Sequence, residues 1–249
     1  MSATTAPPLR IHGLTRRYGS FTAVQDLDLG VQAGEILGFL GPNGAGKTTT
    51  LRCASGLLRP HRGEILVAGA SLAGEPQRAR RALGFVPDRP FLYLRLTGRE
   101  FLELVGALYD VPAREAVVRG GALLDRLELG TASDDLIETY SQGMRQKVAV
   151  AAALIHDPPL LLLDEPLIGL DPQGARTLKD LLRERALAGS GVLVSTHLLE
   201  VAERLCDRVA IIHRGRLLAS GTLAELRGTG SQATLEDVFL QLVREGETT

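Results

Sequence analysis

Apolar residues recur along this chain at two periods, and the places where the period changes divide it into elements. Residues 9–18 and 23–31 read as strands about a turn at Gly19-Ser20. From Asp26 the second of them alternates Asp, Leu, Asp, Leu, as an antiparallel strand with one wet face does. Residues 35–40 (EILGFL) and 160–163 (LLLL) are nearly continuous apolar runs, and the second is expected to be a strand buried on both faces. Shorter strands are expected at 64–67, 84–86 and 191–195, with a hairpin at 209–213 and 216–219 around Arg214-Gly215. Helical periodicity marks residues 47–58, 76–83, 172–188 and 198–205, and two short helices at 223–227 and 235–243. Residues 1–8 read as a disordered tail.

Between about residues 90 and 155 the texture changes. Helices are expected at 99–109, 112–129 and 141–155 with no strand between them, as in an insertion into an alternating α/β domain. The first is expected to bury Leu102, Val105 and Leu108, with Phe101 and Leu104 beside them. The second places Val117, Leu124 and Leu127 at similar spacings, with Gly120-Gly121 weakening its middle.

The strand at 35–40 runs into Gly41, Pro42, Asn43, Gly44, Ala45, Gly46, Lys47, Thr48 and Thr49, and a helix follows. Strand, glycine-rich loop and helix is the context that a phosphate-binding loop needs. Gly41, Gly44 and Gly46 let the backbone turn tightly and aim its N–H groups at an anion. Lys47 brings a compact charge for β- and γ-phosphates, and Thr48 sits where its hydroxyl can hold Mg²⁺. The chain has three lysines, Lys47, Lys147 and Lys179, and otherwise uses arginine; one of the three stands where a point charge suits the loop better than a planar fork.

The strand at 160–163 ends in Asp164 and Glu165, closed by Pro166. Ligands of parallel sheets sit at the carboxyl ends of strands, so both acids are placed to approach a Mg–phosphate site. Asp164 is expected to bind Mg²⁺ through water and Glu165 to polarise the attacking water. Ser141, at the start of a helix, reads as an N-cap; a serine and a glycine at a helix N-terminus also make an anion receptor.

Together and in this order, these stretches resemble the nucleotide-binding domain of the ATP-binding cassette (ABC) ATPases, over residues 9–222. Residues 41–48 match Walker A, 160–164 match Walker B, and Glu165 matches the catalytic glutamate. Residues 140–144 (YSQGM) line up with the family signature, 169–172 (GLDP) with the loop that crosses the dimer interface, and His197 with the switch histidine that contacts the γ-phosphate. Tyr18 stands where the family stacks an aromatic on adenine. The resemblance implies a P-loop NTPase (RecA-like) α/β fold with a mainly parallel sheet. Its core would be residues 9–89 and 156–222, with an N-terminal antiparallel β subdomain, a helical subdomain at about 90–155 and a C-terminal helical extension at 223–249.

It also implies ATP and Mg²⁺ as ligands and catalysis by Lys47, Glu165 and His197. A second nucleotide-binding subunit, in a homodimer, would cap the γ-phosphate with Ser141 and Gly143. A separate transmembrane permease would hold the chain at the cytoplasmic face of the cell membrane. Residues 90–96 (PFLYLRL) are rich in large apolar groups, and part of them is expected to line a groove that receives a helix of that permease. Two positions depart from the family pattern. Asp88 stands where glutamine is usual, either as a Mg²⁺-linked sensor or as a turn residue in PDRP. Gln142 and Met144 alter the signature, while Ser141 and Gly143 are kept. Residues 96–104 (LTGREFLEL) and 234–240 (TLEDVFL) resemble the exporter branch, such as the drug-export ATPases; the core motifs fit a nutrient importer equally.

Composition narrows the partners. A net charge of −1, no CxxC and no basic stripe argue against nucleic acid, and against a soluble ABC ATPase of DNA repair or translation. Cys53 and Cys206 lie far apart, in apolar-periodic stretches, and read as buried structural thiols of a reducing compartment. Residues 1–8 lack the basic and apolar regions of a signal peptide. No apolar run approaches the ~18 residues that a spanning helix needs, so work at a membrane would require another chain to cross it.

Overall fold

The computed structural model describes residues 6–228 and 234–247. β1 (Leu9–Tyr18) and β2 (Phe21–Val31) form an antiparallel hairpin in which Tyr18 lies opposite Phe21. Next come β3 (Ile36–Leu40), α1 (Lys47–Ala54), β4 (Arg62–Val67), β5 (Ala70–Ser71), α2 (Pro76–Arg81) and β6 (Leu83–Val86). A helical stretch holds α3 (Gly98–Leu108), α4 (Ala113–Arg126), 3-10 turns at Gly130–Ala132 and Ile137–Thr139, and α5 (Gln142–Leu154). Alternation resumes with β7 (Leu160–Asp164), α6 (Pro172–Leu187), β8 (Gly191–Thr196), α7 (Leu199–Leu205), β9 (Arg208–His213) and β10 (Arg216–Thr222), followed by α8 (Leu223–Arg227) and α9 (Leu235–Glu247).

Two sheets result. The first is antiparallel, in the order β2-β1-β4-β5. The second runs β10-β9-β3-β8-β7-β6 and is parallel except for the β9–β10 hairpin. Alternation along the buried strands assigns each face a partner. Leu37 and Phe39 of β3, with Leu160 and Leu162 of β7, face the antiparallel sheet and α1. Ile36 and Leu40, with Leu161 and Leu163, face a core shared with α3, α4, α5 and α6. Register brings the strand ends level: Leu40 pairs with Thr196, Ser195 with Asp164, and Leu163 with Val86. Gly41, Glu165, His197 and Asp88 therefore all leave the sheet along one edge.

Several sequence expectations need correction. Pro8 belongs to the fold: its carbonyl accepts from Ala68 N–H at 2.9 Å, and its ring fills the space beside Gly191; residues 1–5 lie outside the described residues. α1 stops at Ala54, not at 58, because Gly56 takes φ +75° and lets Leu57 N–H return to Arg52 C=O at 2.9 Å. α3 buries Phe101, Leu102 and Gly106, while Leu104 and Leu108 are 37% and 69% exposed. Close helix packing explains the change of face: a Cβ on Gly106 would stand 2.8 Å from Ala116 Cβ, and one on Gly120 would meet Leu102. Gly120, a weak point by propensity, is thus a contact point of the α3–α4 pair, and Val117 is exposed. α5 also packs directly on the sheet, since a Cβ on Gly84 of β6 would lie 2.2 Å from Ala153 O.

Candidate active site

The loop after β3 is fixed by backbone close approaches. Gly44 and Gly46 hold φ +80° and +112°, which suit glycine. At Gly41 any Cβ would fall 2.3 Å from Ile212 O of β9. The β9–β10 turn closes the loop from the side: Gly215 N–H donates to Ala45 O and Gln25 N–H to Gly215 O, both at 2.8 Å. α1 then begins at Lys47 with no side-chain cap and no acid in its first turn, so its leading N–H groups are left for an anion.

Lys47 is buried and its Nζ donates to Gly41 O at 2.7 Å and Pro42 O at 3.3 Å. Burial lowers its pKa, while the charges of Glu165 and Asp164 push it back up. Glu165 Oε1 lies 3.9 Å from that Nζ and 2.8 Å from His197 Nδ1, within hydrogen-bond distance. Glu165 takes φ +50° just past β7, where its N–H donates to Ser195 O at 3.0 Å. A non-glycine residue in that conformation is strained by roughly 1–3 kcal/mol, and here it turns the carboxylate off the strand toward Lys47.

Asp164 is fully buried. Ser195 Oγ donates to its Oδ1, and Oδ2 has no partner among the described residues. Glu165 Oε2 is likewise buried and unpartnered. Two buried carboxylate oxygens without donors, beside a buried ammonium and a glycine-rich loop, fit a cation that arrives with phosphate. Among the described residues no group of three or more His, Cys, Asp or Glu makes a cage for a metal alone. Magnesium is ordinarily held by one or two carboxylates plus substrate phosphates, and Thr48 lines the same pocket as Glu165.

Tyr18, Pro42, Asn43, Gly44, Ala45, Gly46, Lys47, Thr48, Thr49, Asp88 and Glu165 line one pocket of about 310 Å³. Phe21 and Ala23 line it too, and the sequence reading missed both. Phe21 is 62% exposed beside Tyr18 across the hairpin, a pairing readable from the two-residue turn between them. Arg16 lies 5.0 Å from the Tyr18 ring centroid, so a cation supports that ring. Ser195 was missed as well, although it stands two residues before His197 in a strand expected to end there.

Ser141 and Gly143 are elsewhere. They line a depression of about 340 Å³ with Gln142, Met144, Lys147, Gly169, Leu170 and Asp171, and it shares no residue with the Lys47 pocket. Ser141 caps α5 by accepting from Met144 N–H at 3.2 Å, and Asp171 caps α6 through Gly174 N–H at 2.6 Å. Gln142 packs over Gly169, which holds φ +81°. Behind them Glu128 accepts from Lys147 at 3.0 Å and Gln173 at 3.2 Å, tying α5 to α6.

Residues 24–168 match the family model described as ABC transporter. The chain is 41% identical over 219 residues to the daunorubicin resistance ATP-binding protein DrrA3 of Streptomyces coeruleorubidus, covering 88% of this chain and 69% of that one. It is 40% identical to the Nod factor export ATP-binding protein I of Ralstonia nicotianae, over 89% of this chain and 69% of the relative. Among solved structures, an ATP-binding subunit of an ABC transporter superposes with a TM-score of 0.89 at 36% identity, covering 94% of this chain and 99% of the other. The dimeric post-hydrolysis cassette MJ0796 bound to ADP and Pi superposes with a TM-score of 0.78 at 27% identity, over 87% and 99%. The loop, the two carboxylates and these likenesses agree: the chain belongs to the ABC transporter family and is an ATP-binding, ATP-hydrolysing subunit of it.

Proposed function

We propose that the chain powers an exporter by ATP-driven pairing of two copies, each supplying half of two composite sites. The observation that carries this reading is the separation of the two depressions. One has the lysine, the glycine loop, Asp88 and Glu165, while the other has Ser141 and Gly143 at the start of α5. A single chain leaves the γ-phosphate open on one side, and a partner's Ser141, Gly143 and α5 N-terminus supply the missing donors. ATP is then the ligand that holds the pair together, and its hydrolysis removes the anion that does so.

Within one half-site the proposed roles are these. Tyr18 and Phe21 receive the adenine, the loop N–H groups and Lys47 take the phosphates, and Thr48, Asp164 and Asp88 hold Mg²⁺ directly or through water. Bound magnesium neutralises phosphate charge. Glu165 Oε2 is free to accept the proton of the attacking water, while its Oε1 stays on His197. Export is supported by the names of the relatives, one of drug resistance and one of Nod factor export.

Among the described residues no helix is long and apolar enough to cross a membrane. The proposed partner is a separate transmembrane permease, which would hold this chain at the cytoplasmic face of the membrane. Phe91, at 86% exposed, and Tyr93 form an edge-to-face aromatic pair on the surface, with Leu92 buried beneath, and make its proposed contact.

The test is sedimentation of Glu165→Gln with and without Mg-ATP. A dimer that appears only with ATP is the expected result. A chain that stays monomeric at high concentration would remove the homodimer. Phe91→Asp should then lose permease binding and keep ATP binding.

A further inference from the structure

A second cleft, of about 660 Å³, opens between the C-terminal end of α1, the loop that follows it, β4 and α2, and it shares no residue with the Lys47 pocket. Its floor is apolar, made by Cys53, Leu58, Ile65 and Leu72. Burial pushes the Cys53 thiol up to about 11, so the floor carries no charge near neutral pH. The rim is cationic. Arg59, Arg62 and Arg80 line it with His61, and Glu64 is the one carboxylate in the lining.

These three arginines differ from the arginines that are ion-paired on the surface. Arg81, Arg99, Arg126 and Arg185 each pair with a carboxylate, whereas none of the three rim guanidiniums has an ion pair among the described residues. Like charges around one concavity repel, so the fold must hold them there. Arg16 Nη1 donates to Arg59 O at 2.8 Å, His61 N–H to Thr15 O at 2.8 Å, and Arg17 N–H to His61 Nδ1 at 3.3 Å. Gly56, at φ +75°, completes the arrangement: a Cβ there would stand 3.1 Å from both Arg80 Nε and Leu72 Cδ2. The missing side chain lets Arg80 lie across the end of α1.

We propose that this cleft is a ligand site, separate from the nucleotide site, for a small amphipathic anion: one phosphate, sulfate or carboxylate head on a hydrocarbon or aromatic body. The guanidinium forks match an oxyanion. The apolar floor needs a body that a bare inorganic anion lacks. The volume lies in the range of small-molecule pockets. The reading does not depend on export or on dimerisation.

The probe is hexyl phosphate, titrated calorimetrically into the whole chain, with inorganic phosphate and hexan-1-ol as the two halves of its chemistry. Saturable binding of one hexyl phosphate per chain is expected, at least tenfold tighter than either half. The Arg62→Glu/Arg80→Glu double variant should weaken it at least tenfold while still binding ATP. Lys47→Ala, which disables the phosphate loop, should leave it unchanged. If the double variant fails to fold, Arg62→Gln and Arg80→Gln taken singly should each weaken binding severalfold. Absence of binding, loss with Lys47→Ala, indifference to the arginine changes, or inorganic phosphate binding as tightly as the ester would each overturn the proposal.

Discussion

The two halves of the proposed composite site are built by different means. Around Lys47 the loop and the side chains that serve it are held in place before any ligand arrives. The loop is clamped by Gly215 and by the close approach of Ile212, Lys47 bridges two loop carbonyls, and Glu165 is held by His197 in a strained backbone conformation. At the other half Ser141, Gln142, Gly169 and Asp171 are exposed, and Ser141 and Asp171 cap their own helices. The first half can bind ATP alone because its donors are prepaid in order. The second offers its donors outward, and in the proposed function they act when another copy brings a phosphate to them.

Substitutions break this comparison at graded points. The largest effect is expected from Glu165→Gln, which keeps the shape of the rigid half and removes its base. Turnover measured by phosphate release should fall about 10²–10⁴-fold while ATP affinity stays within a few-fold. Next is Ser195→Ala, which removes the hydroxyl from Asp164 Oδ1 and leaves a buried carboxylate with one donor fewer. Urea denaturation should register a loss of about 1–3 kcal/mol. Glu128→Ala acts on the other half, releasing Lys147 and Gln173 and so loosening α5 against α6. ATP-dependent dimerisation should weaken severalfold by sedimentation, with ATP binding to the single chain unchanged.

The smallest effect concerns pH. His156 stacks on Tyr109 with ring centroids 3.7 Å apart, its Nε2 lies 3.1 Å from Leu83 O, and burial holds its imidazole below the ordinary 6.5. The unfolded chain therefore takes up a proton before the folded chain does. Stability is full above about pH 6.5 and declines as pH falls toward the lower folded value. His156→Phe keeps a stacking ring without a titrating group. The acid limb of its urea midpoint against pH should be flatter than that of the parent.

The rigid half was legible in the sequence because its chemistry is local in the chain. Nine consecutive residues carry the loop, and two adjacent acids end an apolar strand, so spacing alone places them. The contacts that make them work were not legible. Ser195 reaches Asp164 through a parallel register between β7 and β8, and Ile212 reaches Gly41 from a strand that follows much later. The helical insertion was recognised as three helices, yet its buried face was misread. Side-chain periodicity favoured Leu108, whereas the fold chose Gly106 and Gly120 to bring α3 and α4 together. Asp88 was found by its place after β6, and it does line the Lys47 pocket. Its part in holding Mg²⁺ belongs to the proposed function.

The composite site is tested most directly by ATP trapping in the Glu165→Gln background. Chains that also carry Lys47→Ala, and chains that also carry Ser141→Arg, are passed separately through a desalting column with radiolabelled ATP and then as an equimolar mixture. Neither chain alone should retain nucleotide. The mixture should retain it, because mixed pairs contain one site built from an intact loop and an intact signature. Retention by the Ser141→Arg chain on its own, at the level of the parent, would show that one chain closes its own site and would contradict the two-copy account.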